Sequence, residues 1–453
     1  MRRFSAEPPG HDTRLRTVGD QEQRALRITG GVQLAGSICI SGSKNAALPE
    51  MAAALLTKET VTLSNVPKVR DTYLMAEILS GLGGSTEGEG TVRLNMERAQ
   101  ASDVPADLGR RMRATILLLG ALLGRFGRAR LPRPGGDDIG ARRVEQHLRG
   151  LRQMGAQVTE TDNEIIAEAE RLRGQRIVFD LPTVTGTENI LLAAVLAEGR
   201  TEIFNAAREP HVQDLCELLV KMGARIEGIG SERLVVDGVR ELGGAEHTVI
   251  ADYLEAGTYA LAVAATGGEL RLECSRPEDL NMVLLKLEQA GAHIDVGSGS
   301  FRVGRQPKTR LRPNDMSTWT FPGFPTDLQA QYMALMTQAD GKTVISEYVH
   351  ENRFQHVAQL AKMGAGITVE GRLHAVVHGP CRLHGTDVAI PDIRSGAALV
   401  IAALCAEGES LLRNSWHVER GYEDMAGKLA SVGARIESVT IHEEPVPSEK
   451  TYE

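Results

Sequence analysis

Apolar positions along the 453-residue chain fall into two patterns that alternate from end to end. In the first, leucines at helical spacing run into a glycine: LSGLGG from Leu79, LRQMGA from Leu151, LVKMGA from Leu219, LEQAGA from Leu287, LAKMGA from Leu360 and LASVGA from Leu429. Each predicts an amphipathic helix ended by a residue of positive φ, then an extended segment such as ARIEGI or AHIDV. The glycines Gly83, Gly155, Gly223, Gly291, Gly364 and Gly433 stand 72, 68, 68, 73 and 69 residues apart. In the second pattern the apolar character is nearly continuous: AAALLTKETVTLSNV, LLLGALLGRFGRARL, LLAAVLAEGRTEIFN, YALAVAATGGELRLE, YMALMTQADGKTVIS and LVIAALCAEGESLLR. These predict six buried Ala/Leu helices, close-packed through small side chains, each running into a strand with one polar and one apolar face.

Six units of about 70 residues are too large for a solenoid repeat and suit two domains of three units each. Packing of helices inside and sheets outside makes each domain a compact α/β body, with a cleft between the two. The length agrees, because it exceeds what one hydrophobic core usually serves.

Composition narrows the function. A formal charge of -8 argues against a protein that coats nucleic acid. No apolar run approaches the roughly 20 residues that cross a bilayer, ILLLGALL being among the longest, so no membrane partner is expected. Residues 1–24 are polar with a Pro-Pro-Gly and no apolar core, which reads as a disordered leader rather than a secretory signal. Cys39, Cys216, Cys274, Cys381 and Cys405 are scattered without CxxC spacing, and predict reduced thiols in a cytoplasmic protein, with no metal site.

The local motifs carry the chemistry. ISGSKNAALPEMAAALL (40–56), MRATILLLG (112–120), PGGDDIGARR (134–143), TGTENILLAAVLAEG (185–199), NAAREP (205–210), FPTDLQAQ (324–331), ENRFQHV (351–357), DIRSGAALV (392–400) and HVERGYE (417–423) resemble the enolpyruvyl transferases, in family order over nearly the whole chain. The resemblance implies two inside-out α/β barrels of three pseudo-symmetric units. One comprises residues 44–250, the other 25–43 plus 251–441, with 442–453 a tail. It also implies transfer of the enolpyruvyl group of phosphoenolpyruvate to the 3-hydroxyl of UDP-N-acetylglucosamine with release of phosphate, a step of peptidoglycan precursor synthesis that needs no cofactor.

By the same resemblance Lys44, Arg113, Arg142, Arg394 and Arg420 hold phosphoenolpyruvate. Any one arginine alone reads as an exposed ion pair of little worth. Five cations at five motif positions favour an anion clamp, since guanidinium forks bind carboxylate and phosphate bidentately and stay charged. Asp327 matches the general base for the sugar hydroxyl; the alternative is that Thr326 or Asp327 simply starts the helix, and both readings hold together if Thr326 caps while Asp327 faces the cleft. Asn45, Arg113, Arg142, Arg143, Val144, Thr183, Val184, Asp327 and Val349 match contacts to the UDP-sugar, Thr183 and Val184 only loosely. Glu209, Asp252 and Arg353 are expected to be accessory.

Two departures stand out. The loop position after Pro-Gly-Gly, commonly a cysteine that donates a proton and is alkylated by the epoxide fosfomycin, is Asp137. An ordinary thiol titrates near about 8.5 and an ordinary aspartate near about 3.9, so Asp137 acts as an acid only if its surroundings raise it. After GAR the chain reads Arg143-Val144-Glu145 where relatives carry proline and aspartate. Arg143 then stacks on uracil or meets a phosphate. The changed handle leaves room for a different nucleotide acceptor such as UMP, and the lost cysteine for a UDP-sugar-binding paralogue without activity.

Overall fold

The computed structural model describes residues 24–100, 103–137, 140, 144–306 and 309–441. Residues 1–23 of the expected leader 1–24, the tail 442–453, and Asp138, Arg142 and Arg143 lie outside the described residues, whereas Arg24 opens the strand Arg24–Thr29 and is no part of a leader.

All six glycines of the first pattern adopt positive φ, from 95° at Gly83 to 107° at Gly291. Each follows a helix (Arg70–Gly81, Glu145–Gln153, Pro210–Lys221, Asn281–Ala290, His356–Lys362, Met425–Ser431) and precedes a strand (Ser85–Glu87, Gln157–Glu160, Arg225–Glu227, His293–Gly297, Ile367–Glu370, Arg435–Thr440). The six Ala/Leu stretches form helices Lys44–Ala53, Leu118–Phe126, Val184–Ala194, Tyr253–Thr266, Gln329–Met336 and Ile393–Cys405. They are buried on nearly every side. Small side chains let three such helices meet at the centre of each body: Tyr253–Thr266, Gln329–Met336 and Ile393–Cys405 pack on one another. Six sheets wrap the outside, five four-stranded and one three-stranded among the described residues.

Two large hydrophobic clusters result. One spans Ala46 to Val249; the other joins Leu26–Ile40 to Tyr253–Ile436. The chain passes between them twice, and the two passages run side by side. Ser43 N–H donates to Ile250 O at 2.7 Å, Asp252 N–H donates to Ser41 O at 2.8 Å, and Gly42 bridges Ala251. Gly42 has to be glycine, because a Cβ there would lie 1.7 Å from Asn65 O.

One sequence expectation fails here. Cys39 and Cys274 form a disulfide, with Cα atoms 5.5 Å apart, at the ends of the neighbouring parallel strands Leu34–Cys39 and Gly268–Glu273. Their separation of 235 residues hid the pairing, since only the fold brings the two strands together. Cys216, Cys381 and Cys405 are free.

Candidate active site

A cavity of about 390 Å³ opens between the two bodies. Lys44, Asn45, Arg113, Asp137, Thr183 and Val184 line it from one side, and Asp327, Val349, Arg353, Arg394 and Arg420 from the other. Helix starts position several of these side chains. Lys44 and Asn45 open the helix capped by Ser43, Thr183 caps the 184–194 helix, and Arg394 is the second residue of the helix capped by Asp392. A helix start aims its free N–H groups and positive dipole end at the same space, which suits anions.

Two ion-pair groups organise the cavity. In the first, Arg420 donates to Asp137 Oδ1 at 2.6 Å and to Asp71 Oδ1 at 3.1 Å, while Lys44 donates to Asp71 Oδ2 at 3.2 Å. Arg420 belongs to one body and both aspartates to the other, so this group ties the cleft shut. Burial pushes the Asp71 carboxyl up, but Lys44 and Arg420 outweigh it and hold it below the usual range. A depressed carboxyl adds stability that is complete above its unfolded value of about 4 and lost as pH falls below that. Asp71→Asn therefore lowers stability by about 3 kcal/mol at pH 7 and flattens the fall in Tm between pH 5 and pH 3. Parallel Tm profiles for variant and parent contradict this.

In the second group, Asp327 Oδ1 accepts from Arg353 Nη2 at 2.6 Å, and Asp327 Oδ2 accepts from Arg394 Nε at 3.1 Å. Burial raises the Asp327 carboxyl, yet the two guanidiniums dominate and hold it far below the ordinary range. Arg394 Nη1 is buried without a hydrogen-bond partner, a donor ready for an anion. Thr326 does not cap a helix, contrary to expectation. Its hydroxyl donates to Glu347 and accepts from Arg353, and Pro325 occupies the cap position. The buried Glu347 carboxylate outbids the helix end for that hydroxyl.

The remaining expected residues fall as follows. Glu209 lines the cavity, and its Oε1 accepts from Phe321 N–H of the other body at 3.4 Å. Asp252 caps the 253–266 helix through Leu254 and Glu255 N–H. Val144 is buried at the start of the 145–153 helix and is not among the residues that line the cavity. The position before the helix turns its apolar side chain into the core.

Among the lining residues that sequence reasoning missed are Asp71, Glu188, His147 and His211. Burial, then the neighbouring Glu209 charge, pushes Glu188 well above the usual carboxyl range. Burial pushes His147 down to about 3, with Arg113 adding to it, and His211 down to about 4, so both rings are neutral at pH 7. Among the described residues one group has metal-ligand types within reach, Glu50, Asp214 and His247. There Lys221 sits 2.9 Å from His247 Nδ1 and Asp214 3.0 Å from Nε2, so both ring nitrogens are taken and an ammonium stands beside the group.

The chain matches the EPSP synthase (3-phosphoshikimate 1-carboxyvinyltransferase) family over residues 28–429 and belongs to it. It is an enolpyruvyl (carboxyvinyl) transferase by family, with the mixed α/β fold of that family. Within the family it is 51% identical to the UDP-N-acetylglucosamine 1-carboxyvinyltransferase of Solibacter usitatus (strain Ellin6076), over 91% of this chain and 99% of that one. Among solved structures it resembles the enolpyruvyl transferase NikO from Streptomyces tendae, at 28% identity and a TM-score of 0.83, covering 92% and 99% of the two chains. EPSP synthase from Acinetobacter baumannii, 19% identical with a TM-score of 0.69 over the same shares, has the same fold.

Proposed function

We propose that the chain transfers the enolpyruvyl group of phosphoenolpyruvate to the 3-hydroxyl of UDP-N-acetylglucosamine, releasing phosphate, in the peptidoglycan precursor pathway of the cytoplasm. The observation that carries this reading is the convergence of Lys44, Arg394 and Arg420 with Asp327 on one cavity between two bodies, in a chain 51% identical to a transferase of that name.

The chemistry follows from charge. The sugar oxygen adds to C2 of phosphoenolpyruvate as a proton reaches C3. The adduct keeps carboxylate and phosphate on one carbon, and loss of phosphate and a C3 proton regenerates the double bond. Fixed cations stabilise that adduct without solvent rearrangement. Arg394, with its unpartnered Nη1, takes the substrate carboxylate. Lys44, Arg113, Arg142 and Arg420 take the phosphate. As Arg394 turns toward substrate it releases Asp327, whose carboxylate then accepts the hydroxyl proton. Arg353 keeps Asp327 in place through its 2.6 Å contact. Asp137 holds Arg420 in the closed cleft at 2.6 Å, and it can serve as the proton donor once the phosphate takes Arg420 from it and the added negative charge favours its protonated form. Asn45, Arg143, Thr183, Val184 and Val349 hold the UDP-sugar.

Phosphate release from phosphoenolpyruvate is the test, with UDP-N-acetylglucosamine, UMP or shikimate 3-phosphate as acceptor. The reading expects turnover with the first. Turnover with UMP alone changes the acceptor, and binding of the UDP-sugar without turnover overturns the enzyme reading. The aspartate also sets drug response: a carboxylate is a far poorer partner than a thiolate for an epoxide. The parent enzyme is expected to keep full activity after incubation with fosfomycin, and Asp137→Cys to lose it with time. Time-dependent inactivation of the parent contradicts this.

A further inference from the structure

Trp319 is 62% exposed and Leu181 70%, the two most exposed large apolar side chains described. Trp319 lines the cavity on the Asp327 side; Leu181 precedes Pro182, which lines it across the cleft beside Thr183 and Val184. An exposed indole on a mobile loop needs no explanation, but this one is framed. Trp319 N–H donates to Phe324 O at 3.0 Å, and Thr318 Oγ1 donates to Glu347 at 2.8 Å while accepting from Tyr348 N–H at 2.9 Å. Glu347, fully buried, also accepts from Val349 and His350 N–H. The same carboxylate therefore fixes both the Trp319 turn and the Val349 segment. Gly323 leaves room for the indole stem, since a Cβ there would lie 2.6 Å from Trp319 Cβ. Tyr348 meets the indole edge-on at 6.2 Å and is 49% exposed itself. An aromatic face on a backbone turn fixed by hydrogen bonds thus lines the same cavity as Thr183 and Val184, at the start of the 184–194 helix.

We infer that Trp319 is the stacking platform for the planar base of the nucleotide acceptor and sets specificity for it. This rests on the nucleotide-sugar reading proposed above. The charged ends of such an acceptor need cations and helix N–H groups, which the cavity interior and the 184–194 helix supply. Its base needs a flat apolar face that tolerates water at the edges, which is what an indole offers.

The test uses steady-state kinetics and fluorescence on the full-length enzyme. Trp319→Ala is expected to raise KM for UDP-N-acetylglucosamine about tenfold, as loss of one base–aromatic stack does. Its kcat and its KM for phosphoenolpyruvate should stay within about twofold, and Trp319→Phe should recover most of the loss. An unchanged KM for the UDP-sugar overturns the inference, and so does an equal rise for both substrates. The chain has two tryptophans, so UDP titration gives a second readout. UDP should quench the fluorescence of the parent but not of Trp319→Phe; equal quenching in both overturns the inference. If the parent gives no turnover with the UDP-sugar, the function proposed above fails, while the quenching still decides the stacking role.

Discussion

Arg420→Met lowers kcat/KM by roughly 10²- to 10³-fold, the usual effect of removing one preorganised donor from a developing anion. Arg420 reaches across the cleft to Asp71 and Asp137, so its loss removes a charge from the adduct site and a tie between the bodies at once. The two effects separate by measurement. Asp71 keeps Lys44 at 3.2 Å, so the fold survives and thermal denaturation shows a modest drop in Tm. Phosphate release shows the large loss, in kcat as well as in KM for phosphoenolpyruvate, because transition state and ground state both use the guanidinium. A loss under tenfold with an intact fold removes Arg420 from the site.

Asp327→Asn lowers kcat by about 10²- to 10⁴-fold, the range general base catalysis supplies. Here the second kinetic parameter is the sharper witness. In the parent, Asp327 neutralises Arg394 through contacts of 3.0 and 3.1 Å. Asparagine keeps the shape and drops the charge, leaving Arg394 free for the substrate carboxylate. KM for phosphoenolpyruvate therefore stays level or falls while kcat collapses. A rise in that KM with kcat unchanged assigns Asp327 to substrate binding instead of proton transfer.

The two-body interior was legible because its signal is local and repeated. A glycine that must take positive φ at Gly83 must do so again at Gly155, Gly223, Gly291, Gly364 and Gly433, and all six do. Continuous Ala/Leu runs read as buried helices for the same reason: their small side chains have nowhere else to pack closely. The motif cations Lys44, Arg394 and Arg420 were legible by resemblance, and all three line the cavity.

What stayed hidden depends on long-range partners. Asp71 sits in VPKVRDTYL, an ordinary helix start, and acquires its role only through Lys44, 27 residues away, and Arg420, 349 away. Glu188 reads as a polar break in an apolar helix until folding buries it beside the cleft. Cys39 and Cys274 meet because two parallel strands do. Thr326 looked like a cap because Ser and Thr favour that position, but Glu347 and Arg353 take its hydroxyl, and neither lies nearby in sequence.

The central claim is that cations from two bodies close on one doubly anionic adduct. A crystal structure with phosphoenolpyruvate and UDP-N-acetylglucosamine tests it most directly. The account predicts the carboxylate on Arg394, the phosphate within hydrogen-bond reach of both Lys44 and Arg420, and the sugar 3-hydroxyl at Asp327. Phosphoenolpyruvate held by the side chains of one body alone, with Arg420 still on Asp71 and Asp137, would contradict it.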